Sequence, residues 1–341
     1  MDYISKYVTE FNFYSGIIFN TIALIVLFKF SPEKQNTSYK FLMAIQFIVG
    51  IITSIWQQIF SLYVIIYNED ILLFFRTVKI SNIKLMKVLV SSMCFYSYFN
   101  VFYVGALIVA RYMLVCSEEE FTSRKALIIF LTCFTSCSVA GISLYISPVI
   151  YSGYDVILKW MNNRNVTLID IDKNSTGIKL FRKEPSLYVA DVVILLLFTI
   201  TYIIIVKFIK KYKKYMKQHE NIMSERTIEM NRQFMKILLL QSLSPLLITG
   251  MPILIFLIML SLQKTYSIQF LGTLIHNFLY LCPTINSFLF LVLQKKIRRA
   301  FFYPFKFGFN KVYSQNNKVT VNDVSRNKKS SQMKKTNIAH H

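Results

Sequence analysis

Few side chains in this 341-residue chain can do chemistry, and none are spaced to make or break covalent bonds. Of four histidines, His219 lies in a lysine-rich stretch, His340 and His341 end the chain, and His276 alone sits in an apolar run, with Asn277 beside it. There is no G-x-S-x-G, H-E-x-x-H or Walker A pattern and no pair of carboxylates inside an apolar run, so an enzyme is disfavoured. Cys94, Cys116, Cys133, Cys137 and Cys282 all fall in or at the edge of apolar runs. Cys133 and Cys137 share a helix face, yet no cluster has metal-ligand spacing, so neither a metal nor a cofactor is expected. What remains is charge and hydrogen bonding embedded in apolar sequence, which is the chemistry of a conformational switch. Arg111 stands among apolar neighbours, and Asp191 is one turn into another run. Gln241, Pro245 and Pro252 punctuate a third, and Pro283 and Asn286 a fourth. An amide in lipid needs a partner, and each proline leaves an earlier carbonyl without its donor, so such a helix is built to bend or to face a polar interior.

The composition says what must position these residues. The chain is 54% hydrophobic, 16% aromatic and only 16% charged, with a mean hydropathy of +0.45. A soluble domain of this size carries about 25% charged residues. The net charge of +22 comes from 39 Lys+Arg against 17 Asp+Glu. Those cations lie between and after apolar runs, which suits the anionic face of a membrane rather than nucleic acid, and no nucleic-acid-binding motif is present.

Seven apolar segments emerge, at roughly 11–30, 41–66, 88–115, 126–151, 187–207, 234–262 and 268–293. Each approaches or exceeds the ~20 residues that cross a ~30 Å hydrocarbon core. The expected fold is an all-α membrane protein, a bundle of seven transmembrane helices. An odd number puts the termini on opposite sides. With the N-terminus outside, the inner segments hold 27 of the 39 Lys+Arg, in runs 29–40, 111–125, 207–236 and 295–335, and the outer ones hold 12. The positive-inside rule therefore favours N-terminus outside and C-terminus cytoplasmic, although the cluster at 76–87 runs against it. N-x-[ST] acceptors at Asn165 and Asn174 lie in the same outer loop, 152–186, whereas Asn36-Thr37-Ser38 falls on an inner loop and should stay unmodified. The organisation expected is a short extracellular N-terminus (1–10), a seven-helix domain (11–293), a juxtamembrane amphipathic segment (294–308) and a disordered basic cytoplasmic tail (309–341).

Four stretches carry a resemblance. Gly16 to Phe28 with Ser38 to Met43 looks like an N-x-x-L-I opening followed by a Y-[KR]-x-L-M entry to the second span. Tyr103 with Arg111-Tyr112 looks like a Y-R-Y end of the third. Asn231 to Pro252 matches a Q-x-x-x-P…P sixth span, and Pro283 to Arg299 a closing span. Together they resemble the nematode serpentine chemoreceptors of the Str superfamily, seven-helix G-protein-coupled receptors, over about residues 12–302. Departures are Ala110 where that family usually has Tyr and Cys282 where Asp or Asn commonly precedes the proline. The loop 152–186 has no cysteine to pair with Cys94, and span two has no Asp for a sodium site.

The resemblance implies a small odorant or pheromone bound among the outer helix halves and a heterotrimeric G protein read on the cytoplasmic face. It implies a plasma-membrane location, in the cilia of sensory neurons. Tyr96, Asn100, Asp191 and His276 are then candidate ligand contacts. Arg111, Tyr112, Gln241, Pro245, Pro252 and Pro283 are candidate switch residues, and Arg111, Lys213, Lys214 and Arg232 form the candidate G-protein face. Membrane lipid is the remaining partner, with no nucleic acid. From the residues alone, His276 also reads as a hydrogen-bonded structural residue, Asp191 as reaching interfacial water, and Arg111 as an interfacial arginine. The competing class is a ligand-gated channel or small-molecule transporter. No repeat relates 11–151 to 187–293, and seven spans do not divide into halves.

Overall fold

The computed structural model describes residues 2–30, 36–67, 70–117, 119–163, 171–181, 185–219, 221–245, 247–248 and 271–293. Pro252, Asn165, the juxtamembrane segment and the tail lie outside the described residues, as do the side chains of Asp191 and Pro245.

Eight helices and four short strands make up the described chain. In order they are α1 (Asp2–Phe30), α2 (Thr37–Ile59), β1 (Leu62–Tyr67), β2 (Asp70–Phe75), α3 (Ile83–Cys116) and α4 (Ser123–Ile146). Then come β3 (Val149–Ser152), α5 (Tyr154–Asn162), β4 (Thr176–Phe181), α6 (Pro185–Gln218), α7 (Glu225–Pro245) and α8 (Leu271–Leu293). Six of the helices, α1, α2, α3, α4, α6 and α8, are long and apolar enough to cross a membrane. α7 is the first half of the expected sixth span, and a π-helical turn at 247–248 follows Pro245. Starts are set by side-chain caps: Asn36 accepts the Tyr39 amide, Asn82 those of Lys84 and Leu85, and Thr122 that of Lys125.

α3 is the axis of the bundle, packing against α2, α4, α6, α7 and α8, while α1 lies between α2 and α8. Close approach of α1 to α2 depends on glycine. A Cβ on Gly50 would stand 2.6 Å from the Asn20 amide oxygen, and one on Gly16 would overlap the Ser54 hydroxyl. α4 and α6 turn rows of large apolar side chains outward, among them Ile128, Leu131, Ile142, Leu196, Ile200 and Ile203. On a membrane protein such rows face lipid.

Two apolar segments are shorter as helices than their composition suggests, and one polar loop is more ordered. The second run, read as 41–66, stops being helical at Ile59, and Leu62–Tyr67 (LYVIIY) is a strand. β-branched and aromatic residues suit a strand as well as a span, so the run alone does not mark the change. The fourth run, read to 151, ends at Ile146 because Pro148 cannot continue a helix, and β3 follows. The loop 152–186, read only as polar, contributes α5 and β4.

The four strands form one antiparallel sheet in the order β1-β2-β4-β3. One face, with Leu62, Leu73, Phe75, Ile178 and Leu180, packs on Met86, Leu89, Val90 and Met93 of α3 and Tyr280 of α8. The other face, with Tyr63, Ile65, Leu72 and Phe74, is covered by Ile157, Trp160 and Met161 of α5. The sheet therefore lies between the end of the bundle and α5. Asp70 is held by Lys179 Nζ at 3.0 Å and receives the Trp160 indole N–H at 3.2 Å, tying β2, β4 and α5 together. The sheet is also stitched to α8: Thr273 Oγ1 accepts the Val64 amide and donates to its carbonyl, both at 3.1 Å. None of the five cysteines forms a disulfide, so hydrogen bonds and packing hold this layer.

Candidate functional site

Two polar clusters interrupt the apolar interior. The first lies in the half of the bundle nearest the sheet. Asn277 of α8 is its hub. Its side-chain oxygen accepts Gln57 Nε2 at 3.1 Å and faces Thr9 Oγ1 at 3.5 Å, while its backbone carbonyl accepts Asn12 Nδ2 at 3.0 Å. One residue of α8 thus joins α1 and α2. On α3, Asn100 donates to Thr53 Oγ1 of α2 at 2.9 Å and to the Tyr96 carbonyl at 2.8 Å. The Tyr96 ring stands 6.0 Å from that of Trp56, and His276 meets Tyr280 edge to face at 4.8 Å. Tyr280 reaches back to the Met93 carbonyl of α3. His276 Nε2 and Gln57 Oε1 have no hydrogen-bond partner among the described residues. Buried polar atoms of this kind ordinarily take water or a ligand. Replacing Asn277 with Leu removes the acceptor shared by α1 and α2 and should lower stability by about 1–3 kcal/mol. A thermal-shift measurement on purified protein would read this as a lower midpoint.

The second cluster lies at the opposite end of α3. Arg111 is only 5% exposed, too buried for an arginine reaching interfacial water. Its Nη2 donates to Asn231 Oδ1 of α7 at 2.7 Å, and its guanidinium carbon lies 5.7 Å from the centre of the Tyr39 ring of α2. A short bond from a cation to an amide oxygen is charge-assisted and stronger than a neutral one. Tyr112 packs edge to face on Phe208 of α6 at 5.0 Å. Further along α7, Gln241 donates to the Asn286 carbonyl of α8 at 2.5 Å, and Ser242 accepts at its carbonyl the Tyr202 hydroxyl of α6 at 3.1 Å. α7 is therefore pinned separately to α3, α6 and α8 by polar contacts, next to the proline that ends its described helix. Pro245 frees the Gln241 carbonyl, toward which Ser244 Oγ points at 3.5 Å.

The fold that carries these clusters matches squid rhodopsin, with a TM-score of 0.58 at 13% identity, covering 90% of this chain and 87% of that one. At that identity the likeness concerns the fold. No curated protein matches. The sequence profile of the serpentine type seven-transmembrane G-protein-coupled chemoreceptor Str matches residues 5–302, nearly the whole chain. The chain belongs to the Str chemoreceptor family.

In this Str receptor, the residues expected at a ligand site do not all come together among the described residues. Asn100 and Tyr96 share one turn of α3, and His276 sits on α8 beside the Asn277 hub. Asp191 is on α6, and its side chain is outside the described residues. Of the expected switch residues, Arg111, Tyr112 and Gln241 each contact a neighbouring helix, and Pro283 lies inside α8. Lys213, Lys214 and Arg232 are exposed on the facing ends of α6 and α7. Asn174 is exposed in the turn before β4, with its amide N–H on Asp172. Asn36 is engaged on both sides of its amide, capping α2 and donating to the Phe121 carbonyl at 2.7 Å.

Several residues of both clusters were not singled out from the sequence: Asn12, Thr53, Gln57 and Asn231. Gln57 and the equally buried Gln46 carried a usable signal, because an amide inside a long apolar run is costly in lipid, as for Gln241. Asn231 carried none. It stands at the polar start of α7, 120 residues from the arginine it binds.

Proposed function

We propose that this Str receptor binds a small, largely apolar odorant or pheromone in the half of the bundle nearest the sheet and passes the signal to a heterotrimeric G protein at the opposite end. The observation that carries this reading is the buried Arg111–Asn231 bond. It joins α3 to α7 at the end where the basic loop residues gather, and it can be broken without disturbing the covalent chain. Ligand contact falls to Tyr96, Asn100, His276 and Asp191, supported by a His276 Nε2 that has no partner among the described residues and by the aromatic setting of Tyr96. Pro245, Pro252 and Pro283 supply the bends, and the contacts of Tyr112 and Gln241 change as α7 moves. Arg111, Lys213, Lys214 and Arg232 face the G protein once α7 has shifted. A ligand drives the change only as far as it prefers the shifted state.

In this reading the N-terminus is extracellular, the receptor domain spans 11–293, and the segment 294–308 lies along the inner leaflet ahead of a basic tail at 309–341. The sheet then roofs the outer end, in the plasma membrane of a sensory neuron. The orientation is tested by a glycosidase-sensitive gel shift on the expressed receptor, with Asn165→Gln and Asn174→Gln alone and together. The expected result is a shift that the double variant abolishes. A shift that depends on Asn36 instead would invert the bundle and overturn the reading.

A further inference from the structure

At the basic ends of α6 and α7 lies a cleft of about 420 Å³ lined by both helices. Its composition separates into two parts. Lys213, Lys217, Arg232 and Lys236 line it and are all exposed, and among the described residues no carboxylate lines it. Glu229, one turn before Arg232 on α7, receives Gln233 Nε2 at 3.1 Å. The remaining lining is Ile209, Tyr212 and Met216 on α6 and Ile228, Met235 and Leu239 on α7, apolar but for the Tyr212 hydroxyl.

The order of these groups along the helix axes decides what they suit. Lys236 is the last ionisable residue before the apolar stretch 237–262, and Leu239 is already inside that stretch. On α6 the apolar run ends near residue 207, so Ile209 stands at its edge. Lys217 lies eight residues further, about 12 Å at 1.5 Å per residue. The cleft thus starts at the hydrocarbon boundary, where Ile209 and Leu239 line it, and runs into the headgroup layer, where the four cations alternate with Tyr212, Met216, Ile228 and Met235. That is the profile of an anionic phospholipid, with an acyl chain against Leu239 and Ile209 and phosphates among the cations. Four cations around one opening favour a headgroup with more than one phosphate over a singly charged one.

We propose that this cleft is a binding site for a multiply phosphorylated phospholipid headgroup, seated between α6 and α7. The inference rests on the orientation proposed above, which puts these ends in the cytoplasmic leaflet. A lipid held there would bridge the helix that moves and the helix beside it, and so bias α7 toward whichever arrangement keeps the four cations together. Juxtamembrane Lys and Arg each contribute about 1 kcal/mol to binding an anionic lipid surface.

The test is lipid retention by the purified full-length receptor in native mass spectrometry, with phosphatidylinositol 4,5-bisphosphate, phosphatidylserine and soluble inositol trisphosphate as probes. The wild type should retain one bisphosphate lipid in preference to phosphatidylserine. Lys217→Gln with Lys236→Gln should weaken that retention about 30-fold. Lys29→Gln with Arg124→Gln, at the same net charge, should leave it unchanged. Inositol trisphosphate should compete only at much higher concentration, because it lacks the acyl chain. Equal losses in both double variants would mean general attraction to basic protein and would overturn the proposal, as would unchanged retention in the first. So would an intact lipid adduct accompanied by lost nucleotide exchange in the first variant, which would make the cleft a protein contact. Absence of exchange by a wild type that retains the lipid would count against the proposed signalling, not against this site.

Discussion

Asn231→Ala should raise basal guanine-nucleotide exchange on a heterotrimeric G protein about tenfold or more, without added ligand. The Arg111–Asn231 bond is the one described side-chain contact that holds α7 to α3 through a cation. A hydrogen bond to a charged group contributes about 1.5–3 kcal/mol. Losing it from the resting arrangement shifts the two-state equilibrium by roughly that amount, and 1.4 kcal/mol is about tenfold. The acceptor is an amide rather than a carboxylate, so the native contact is a charge-assisted hydrogen bond and not an ion pair. Asn231→Asp puts a carboxylate oxygen where the amide oxygen meets Arg111, in nearly the same shape, and should lower basal exchange below the wild type. Opposite responses of the two variants identify the contact as a brake. Equal basal rates in all three proteins would show that it does not restrain α7.

Gly177→Val should lose most surface expression and lower the thermal midpoint of any protein recovered. Gly177 pairs directly with Phe74 across β2 and β4. A Cβ there would lie 2.4 Å from the Leu73 carbonyl oxygen and 2.5 Å from the Phe74 Cβ, so it meets backbone and not the flexible end of a side chain. Overpacking a well-packed site costs about 1–3 kcal/mol, and here the only relief is to separate β2 from β4. Those strands carry Asp70 and Lys179, and Phe74 stacks on Tyr63 at 5.4 Å. With no disulfide to hold the layer, nothing covalent limits the damage. Gly153→Val is the control, since the nearest atom to its Cβ is a Tyr151 ring carbon at 3.8 Å. That variant should express normally. If Gly177→Val did as well, the sheet would not be required for the fold.

The helices were legible because lipid demands long apolar segments, and that demand is written residue by residue. The strands were not, for two different reasons. Leu62–Tyr67 is apolar enough to extend a span, and its pairing with Asp70–Phe75 is a contact that no single run reveals. Thr176–Phe181 alternates with a glycine and a lysine, and of its two partner strands β2 lies about 100 residues earlier. The site was legible where a residue was out of place in its own surroundings. Arg111 among aliphatic neighbours and Gln241 beside Pro245 are such residues. Asn100 also stands out in its sequence, but its partner Thr53 does not, since a threonine in an apolar helix can satisfy itself on the preceding turn, as Thr53 also does on Val49. Asn231 was invisible because its surroundings are polar and its partner is on another helix.

Signalling by this Str receptor, as proposed, turns on one movement, the release of α7 from α3. Spin labels at Ser117→Cys, just past α3, and Met230→Cys, on exposed α7, report it directly in a background with Cys94 and Cys116 replaced. Electron–electron double resonance on receptor in lipid nanodiscs should give one short distance for the otherwise native chain. With Asn231→Ala and a nucleotide-free G protein, a second, longer distance should appear and dominate. An unchanged distance in that complex, with exchange nevertheless stimulated, would contradict the release of α7 as the signalling step.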